Sequence, residues 1–99
     1  MVIIAISSYP TESTKEVAKR LMGHTPLPTY ITLKGPYTYG EVGVGIKVIA
    51  IYEFDKAKYS EAFEVIFARY AKYIGVPGFT CSFDRWVEAK EAIKLAGMG

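Results

Sequence analysis

The sequence predicts a single α+β domain over residues 1–99: an antiparallel sheet of three long strands and a short fourth, backed by helices. Three observations predict it. From Val44 to Phe54 the side chains alternate, with Val44, Ile46, Val48, Ala50, Tyr52 and Phe54 forming one apolar face, the period-2 signature of a strand. Helix-start residues stand at Ser13 and Asp55, where a short polar side chain can accept from an otherwise unpaired backbone N–H. Behind Asp55, the residues Tyr59, Phe63, Ile66, Phe67, Tyr70 and Ile74 recur at helical spacing over about four turns.

Val2 to Tyr9 is short, β-branched and halted by Pro10. Ile4 and Ile6 point one way and Ile3 and Ala5 the other, which predicts a central strand covered on both faces. Ser13-Thr14-Lys15-Glu16 matches the capping box and opens a helix over 14–22 carrying Val17, Ala18, Leu21 and Met22, with Gly23 placed to end it in a left-handed conformation. Pro26 and Pro28 make the next stretch a connector. Tyr30 to Lys34 alternates as a strand, which Gly35-Pro36 and Gly40 interrupt. The long helix is predicted over 56–74 and ends at Gly75 and Pro77. Phe79, Cys81 and Phe83 alternate as a short fourth strand, and Asp84 is placed to cap a last helix bearing Trp86, Ala89, Ile93 and Ala96.

Composition bounds the function. A chain of this length buries only about 60–65% of its unfolded surface, so a hydrophobic fraction of 51% predicts further cover from a second subunit. Twelve basic residues balance ten acidic ones and form no basic stripe, which argues against nucleic-acid binding. One cysteine, Cys81, precludes an intramolecular disulfide. The apolar start, residues 1–6, is too short to span a bilayer and lacks a signal-peptide pattern. No membrane association and a cytoplasmic location are therefore expected.

One histidine and one distant cysteine cannot build a zinc site within a protomer, so no metal and no cofactor are expected. Gly40-Glu41-Val42-Gly43-Val44-Gly45 lacks the dinucleotide-loop spacing and leads into a strand, so a hairpin or a wider turn needing positive φ is the reading. His24 follows a helix end, where an imidazolium would complement the dipole. Eight tyrosines are the most unusual component. They suit pockets, interfaces or the rim of a small core, because each buries area while keeping one hydrogen bond. Arg69 and Lys47 are the cations best placed to anchor an anionic group, or to lie along the core edge.

The order β-α-β-β-α-(β)-α is that of the ferredoxin-like split βαβ arrangement with an added C-terminal helix. With its size and a greasy second sheet face at Ile49 and Ile51, the chain resembles the dimeric α+β barrel superfamily over about residues 2–83. That resemblance implies a homodimer whose sheets pack face to face through Lys47, Ile49 and Ile51, as a dimeric α/β barrel. It also implies a pocket between each protomer's own sheet and helices.

No catalytic motif accompanies the resemblance, so function is argued from the pocket. The candidate site comprises Ala50, the one small side chain in its row, with Tyr52, Phe63, Phe67, Arg69 and Tyr70, and Trp86 closing the mouth; the rival arrangement is close packing, with Tyr52 filling the space and the Tyr70 hydroxyl turned to solvent. Three functions stand open: a binding module for a small apolar or aromatic ligand, a cofactor-independent oxygenase- or isomerase-like enzyme, and a purely structural or interaction protein. A buried polar residue in a reactive setting would separate the enzyme from the binder. His24, Tyr70 and Arg69 are the eligible ones.

Overall fold

Four strands and three helices alternate along the computed structural model, which describes residues 1–97. They are β1 (Val2–Tyr9), α1 (Thr14–Leu21), β2 (Thr32–Glu41), β3 (Gly45–Glu53), α2 (Tyr59–Ala71), β4 (Thr80–Trp86) and α3 (Ala89–Leu95). The sheet is open and antiparallel, in the order β2-β3-β1-β4. β1 pairs with β3 along its whole length, from Val2 opposite Glu53 to Tyr9 opposite Ile46.

The alternation places Ile3, Ala5 and Ser7 of β1 on the same face as Val48, Ala50 and Tyr52 of β3, and α1 and α2 cover that face. Ile3, Ala5, Ala50, Tyr52, Ala62 and Ile66 are at most 3% exposed. The opposite face is uncovered in the protomer, so β1 is central but covered on one side only. The reason is simple: both crossover helices lie on one side of the sheet.

Several local expectations are corrected. Ser13 does not form a capping box. A 3₁₀ turn over Thr11–Ser13 already carries the chain into α1, and the buried Ser13 hydroxyl donates instead to the Pro77 carbonyl at 2.6 Å. Glu16 turns to Arg20, accepting from its Nε at 2.8 Å. Gly23 is not left-handed; the last turn tightens through Gly23 N–H to Arg20 O and His24 N–H to Leu21 O. Asp55 does accept from the Ala57 N–H at 2.8 Å, at the head of a 3₁₀ turn that runs into α2.

β2 is longer than the pattern suggested. It passes through Gly35-Pro36 by way of a register shift between Lys34 and Tyr37, which an edge strand tolerates because one row of its N–H groups faces solvent. β4 is longer too, since pairing with β1 extends it to Trp86 opposite Val2. Asp84 and Trp86 are therefore strand residues, and α3 begins at Ala89 after Glu88.

The buried stripe of α2 also differs from the aromatic one. Ala62 and Ile66 face the sheet, whereas Phe67 is 55% exposed; the helix ends at Ala71, short of the expected 74, so the buried Tyr73 and the 78% exposed Ile74 lie in the turns beyond it. The helix approaches closest through its smallest side chain, Ala62, with no exposure at all. At its far end, Arg20 of α1 donates from Nη1 to the carbonyls of Lys72 (3.0 Å) and Ile74 (2.6 Å). That satisfies carbonyls a helix terminus leaves orphaned. Gly78, at φ 72°, brings the chain so near β1 that a Cβ would stand 2.7 Å from the Pro10 ring.

Candidate functional site

The layer between sheet and helices is filled unevenly. Toward the Met1 end, Ile3, Ile66, Phe54 and Ile31 close the core. Toward the Tyr9 end, a cavity of about 140 Å³ remains. Its floor is Ser7 of β1 with Val48, Ala50 and Tyr52 of β3, and its roof is Arg69, Tyr70 and Tyr73 at the end of α2. Val17 and Leu21 of α1, and His24 beyond it, form a side wall. The hollow follows from the local sequence. Ser7 and Ala50 are small, and the cluster of Val17, Tyr73 and Val76 packs separately from the main core.

The polar groups converge here. The hydroxyls of Tyr52 and Tyr70 lie 3.0 Å apart, their rings edge to face at 86°. Burial, reinforced by the neighbouring Tyr52, pushes the Tyr70 phenol far above its ordinary value, and burial pushes Tyr73 up to about 12. Both stay protonated at neutral pH. His24 stands edge-on to the Tyr73 ring, with centroids 5.4 Å apart. Burial first, then the charges of Arg69 and Lys72, hold its imidazole below the usual range. It is thus a neutral ring, not the imidazolium the helix-end position suggested.

Two groups are left unsatisfied. Neither Nδ1 nor Nε2 of His24 makes a well-formed hydrogen bond, and neither does Arg69 Nε; all three atoms are closed off from the cavity as well as from solvent, and the imidazole lies against the Arg69 backbone. Arg69 is held in place by its Nη1, which donates to the Thr25 carbonyl at 2.9 Å. Lys72 donates to the Gly23 carbonyl at 2.8 Å. The 23–25 segment that presents His24 is therefore fastened to α2 on both sides of the histidine.

Of the residues expected from sequence, Ala50, Tyr52, Arg69 and Tyr70 line this cavity. Phe63, Phe67 and Trp86 do not. Phe63 and Phe67 pack on Phe83 of β4, with centroids 5.6 and 5.8 Å away. Trp86, as a strand residue, falls on the uncovered face and is 54% exposed. Lys47, Ile49 and Ile51 lie on that same face. Ser7 and Tyr73 were missed, yet Ser7 shares its face with Ile3 and Ala5, a signal already present in the alternation. Cys81 lies outside the cavity, its thiol pushed up to about 11 by burial.

A larger hollow of about 510 Å³ runs beside the β2–β3 turn, past Tyr39, Val44 and Lys47. It is an open surface trough that excludes no water. Among the described residues, no three His, Cys, Asp or Glu side chains converge on a point that could hold a metal ion. Among them, too, no helix is long and apolar enough to cross a membrane. Compared with known proteins, the chain matches no family model and no curated protein.

Proposed function

We propose that this chain is a small-molecule-binding module whose ligand occupies the cavity between sheet and helices, and that it works as a homodimer joined through the uncovered sheet face. The observation that carries the first part is the cavity itself. At about 140 Å³ it matches the roughly 150 Å³ of an apolar cavity that takes up benzene, and its wall is mostly apolar with a few placed polar atoms. The homodimer rests on Ile6, Ile49, Tyr37, Tyr39 and Trp86, each 36–65% exposed on one face. Contiguous apolar surface of that kind marks an interface. The two crossovers, each bridging an intervening strand, support the ferredoxin-like and dimeric-barrel reading. On its single-cysteine composition the protein is assigned to the cytoplasm.

An enzymatic reading draws on one observation, the neutral His24 in the cavity wall, a residue type that suits a general base. Against it, the ring nitrogens have no accessible surface, and the Tyr73 phenol beside the ring, pushed up to about 12 by burial, is a poor acid. Binding is the better-supported function.

The Ala50→Leu variant tests it. Filling the cavity should leave stability equal or higher and abolish any ligand-dependent rise in melting temperature. A loss of about 1–3 kcal/mol would mean that the space is already packed, and the cavity reading would fall.

A further inference from the structure

Resting on the cavity reading above, we infer that the ligand is an uncharged single-ring compound of about phenol size. Its oxygen bonds the hydroxyls of Ser7 and Tyr73, and its ring lies among the aromatic side chains of the wall. Unused hydrogen-bonding capacity is the first argument. Ser7 is 6% and Tyr73 5% exposed, and the cavity lies against both, one in its floor and the other in its roof. Neither hydroxyl makes a hydrogen bond to another of the described residues. Unlike the nitrogens of His24 and Arg69, these two oxygens keep accessible surface. Buried polar groups are ordinarily paired, and a hydroxyl can both donate and accept. A ligand oxygen supplies the missing partner.

Charge is the second argument. The Tyr73 phenol, pushed up to about 12 by burial, is neutral at physiological pH, and a serine hydroxyl does not ionise. Among the described residues that line the cavity there is no aspartate or glutamate. The one permanent charge, Arg69, is partly exposed to water and donates to the Thr25 carbonyl. The cavity therefore offers an ion no dedicated counter-charge. Stripping water from an ion costs far more than stripping it from a neutral hydroxyl or carbonyl.

Size and wall chemistry are the third. The cavity admits about one ring. The rings of Tyr70 and Tyr73 lie 6.2 Å apart, and Phe79 stacks on Tyr73 at 4.6 Å. Such a wall favours an aromatic guest, which meets it edge-on or offset. The hydroxyls of Tyr52 and Tyr70 are already engaged with each other, so a sugar, with a hydroxyl on nearly every carbon, does not fit that combination.

Isothermal titration of the native protein compares phenol with toluene, its near-isostere without the hydroxyl, and with benzoate, its charged counterpart. Phenol is expected to bind at least as tightly as toluene, although its hydroxyl is the costlier group to desolvate, and benzoate at least about tenfold more weakly. Tyr73→Phe keeps the ring stacked on Phe79 and removes only the hydroxyl. That variant and Ser7→Ala should each weaken phenol about threefold to tenfold, the range of one net hydrogen bond, and leave toluene unchanged. Toluene binding without phenol, or benzoate equal to phenol, would overturn the assignment and leave the cavity reading intact. So would unaltered phenol binding by the two variants. Failure of all three probes would overturn this inference, and with a destabilised Ala50→Leu it would remove the cavity reading too. Because the comparison of probes uses the unaltered chain, it stands even if a variant does not fold.

Discussion

The two faces of the sheet are built from the same kind of residue and end in opposite states. On one face Ile3, Ala5, Ala50 and Tyr52 are sealed to 3% exposure or less; on the other Ile6 and Ile49, one residue along in each strand, remain 41% and 36% exposed. β-Propensity is equal on both, so it does not decide which face is buried. The helices do: α2 docks where its smallest side chain, Ala62, joins Ile3, Ala5 and Ala50 in one cluster, and α1 docks through Val17. Alternation groups side chains by face; packing of α2 chooses between the groups. The chosen face is itself divided, since the half under Ile66 is solid and the half under Tyr70 is hollow.

The sharpest way to break this comparison is to hollow the solid half. Ile66 has no exposure, and Ile66→Ala should cost about 2–5 kcal/mol in a denaturant titration, a large share of the roughly 5–15 kcal/mol that holds a domain together. A loss below 1 kcal/mol, on that scale, would show that the two halves are packed alike. The open face should respond in the reverse manner. Ile49→Lys with Ile51→Lys should change protomer stability by only about 0.5 kcal/mol per site while shifting light scattering from dimer to monomer. If the unaltered chain scatters as a monomer at tens of micromolar, the homodimer is refuted without any variant. The outline of the chain is extended. Its radius of gyration is 15.3 Å, against about 13 Å for a compact domain of this length, and α3 buries none of its residues.

Much of this fold was legible because periodicity is local. β1, β3, the Asp55 cap and the hairpin at Gly43 follow from spacing and turn chemistry alone. What failed depended on distant partners. β4 runs to Trp86 because β1 is there to pair with, so Asp84 could not be told from a helix cap by its neighbours. Ser13 looked like the cap of α1, but its hydroxyl serves Pro77, 64 residues away, and Arg20 of α1 serves the Ile74 carbonyl, 54 residues away. In α2 the large aromatics outweighed Ala62, although closeness of approach favours the small residue. The cavity was half legible: Ala50, Tyr52, Arg69 and Tyr70 share faces that simple alternation brings together. The 23–25 segment was not, since two hydrogen bonds to α2, from Arg69 and Lys72, set its position.

The smallest effect separates the hollow half from the solid one by pH. His24 faces Arg69 and Lys72 of the α2 end, with the phenol of Tyr73 edge-on beside it, and its folded-state pKa lies below the unfolded value of 6.5. Above pH 6.5 the ring is neutral whether the chain is folded or not, and it contributes nothing to pH dependence. Below 6.5 the unfolded chain takes up the proton first, so stability falls as pH falls, by at most about 1.4 kcal/mol per pH unit, until the folded ring also titrates. Glu16 pulls in the same direction, but its carboxylate, held down by Arg20, acts only below its ordinary 4.5. The interval from pH 6.5 to 4.5 therefore isolates the histidine. Urea titrations across that interval should show a downward slope for the native chain and a flatter one for His24→Gln. Equal slopes for the two would mean that the imidazole is solvated in the folded state.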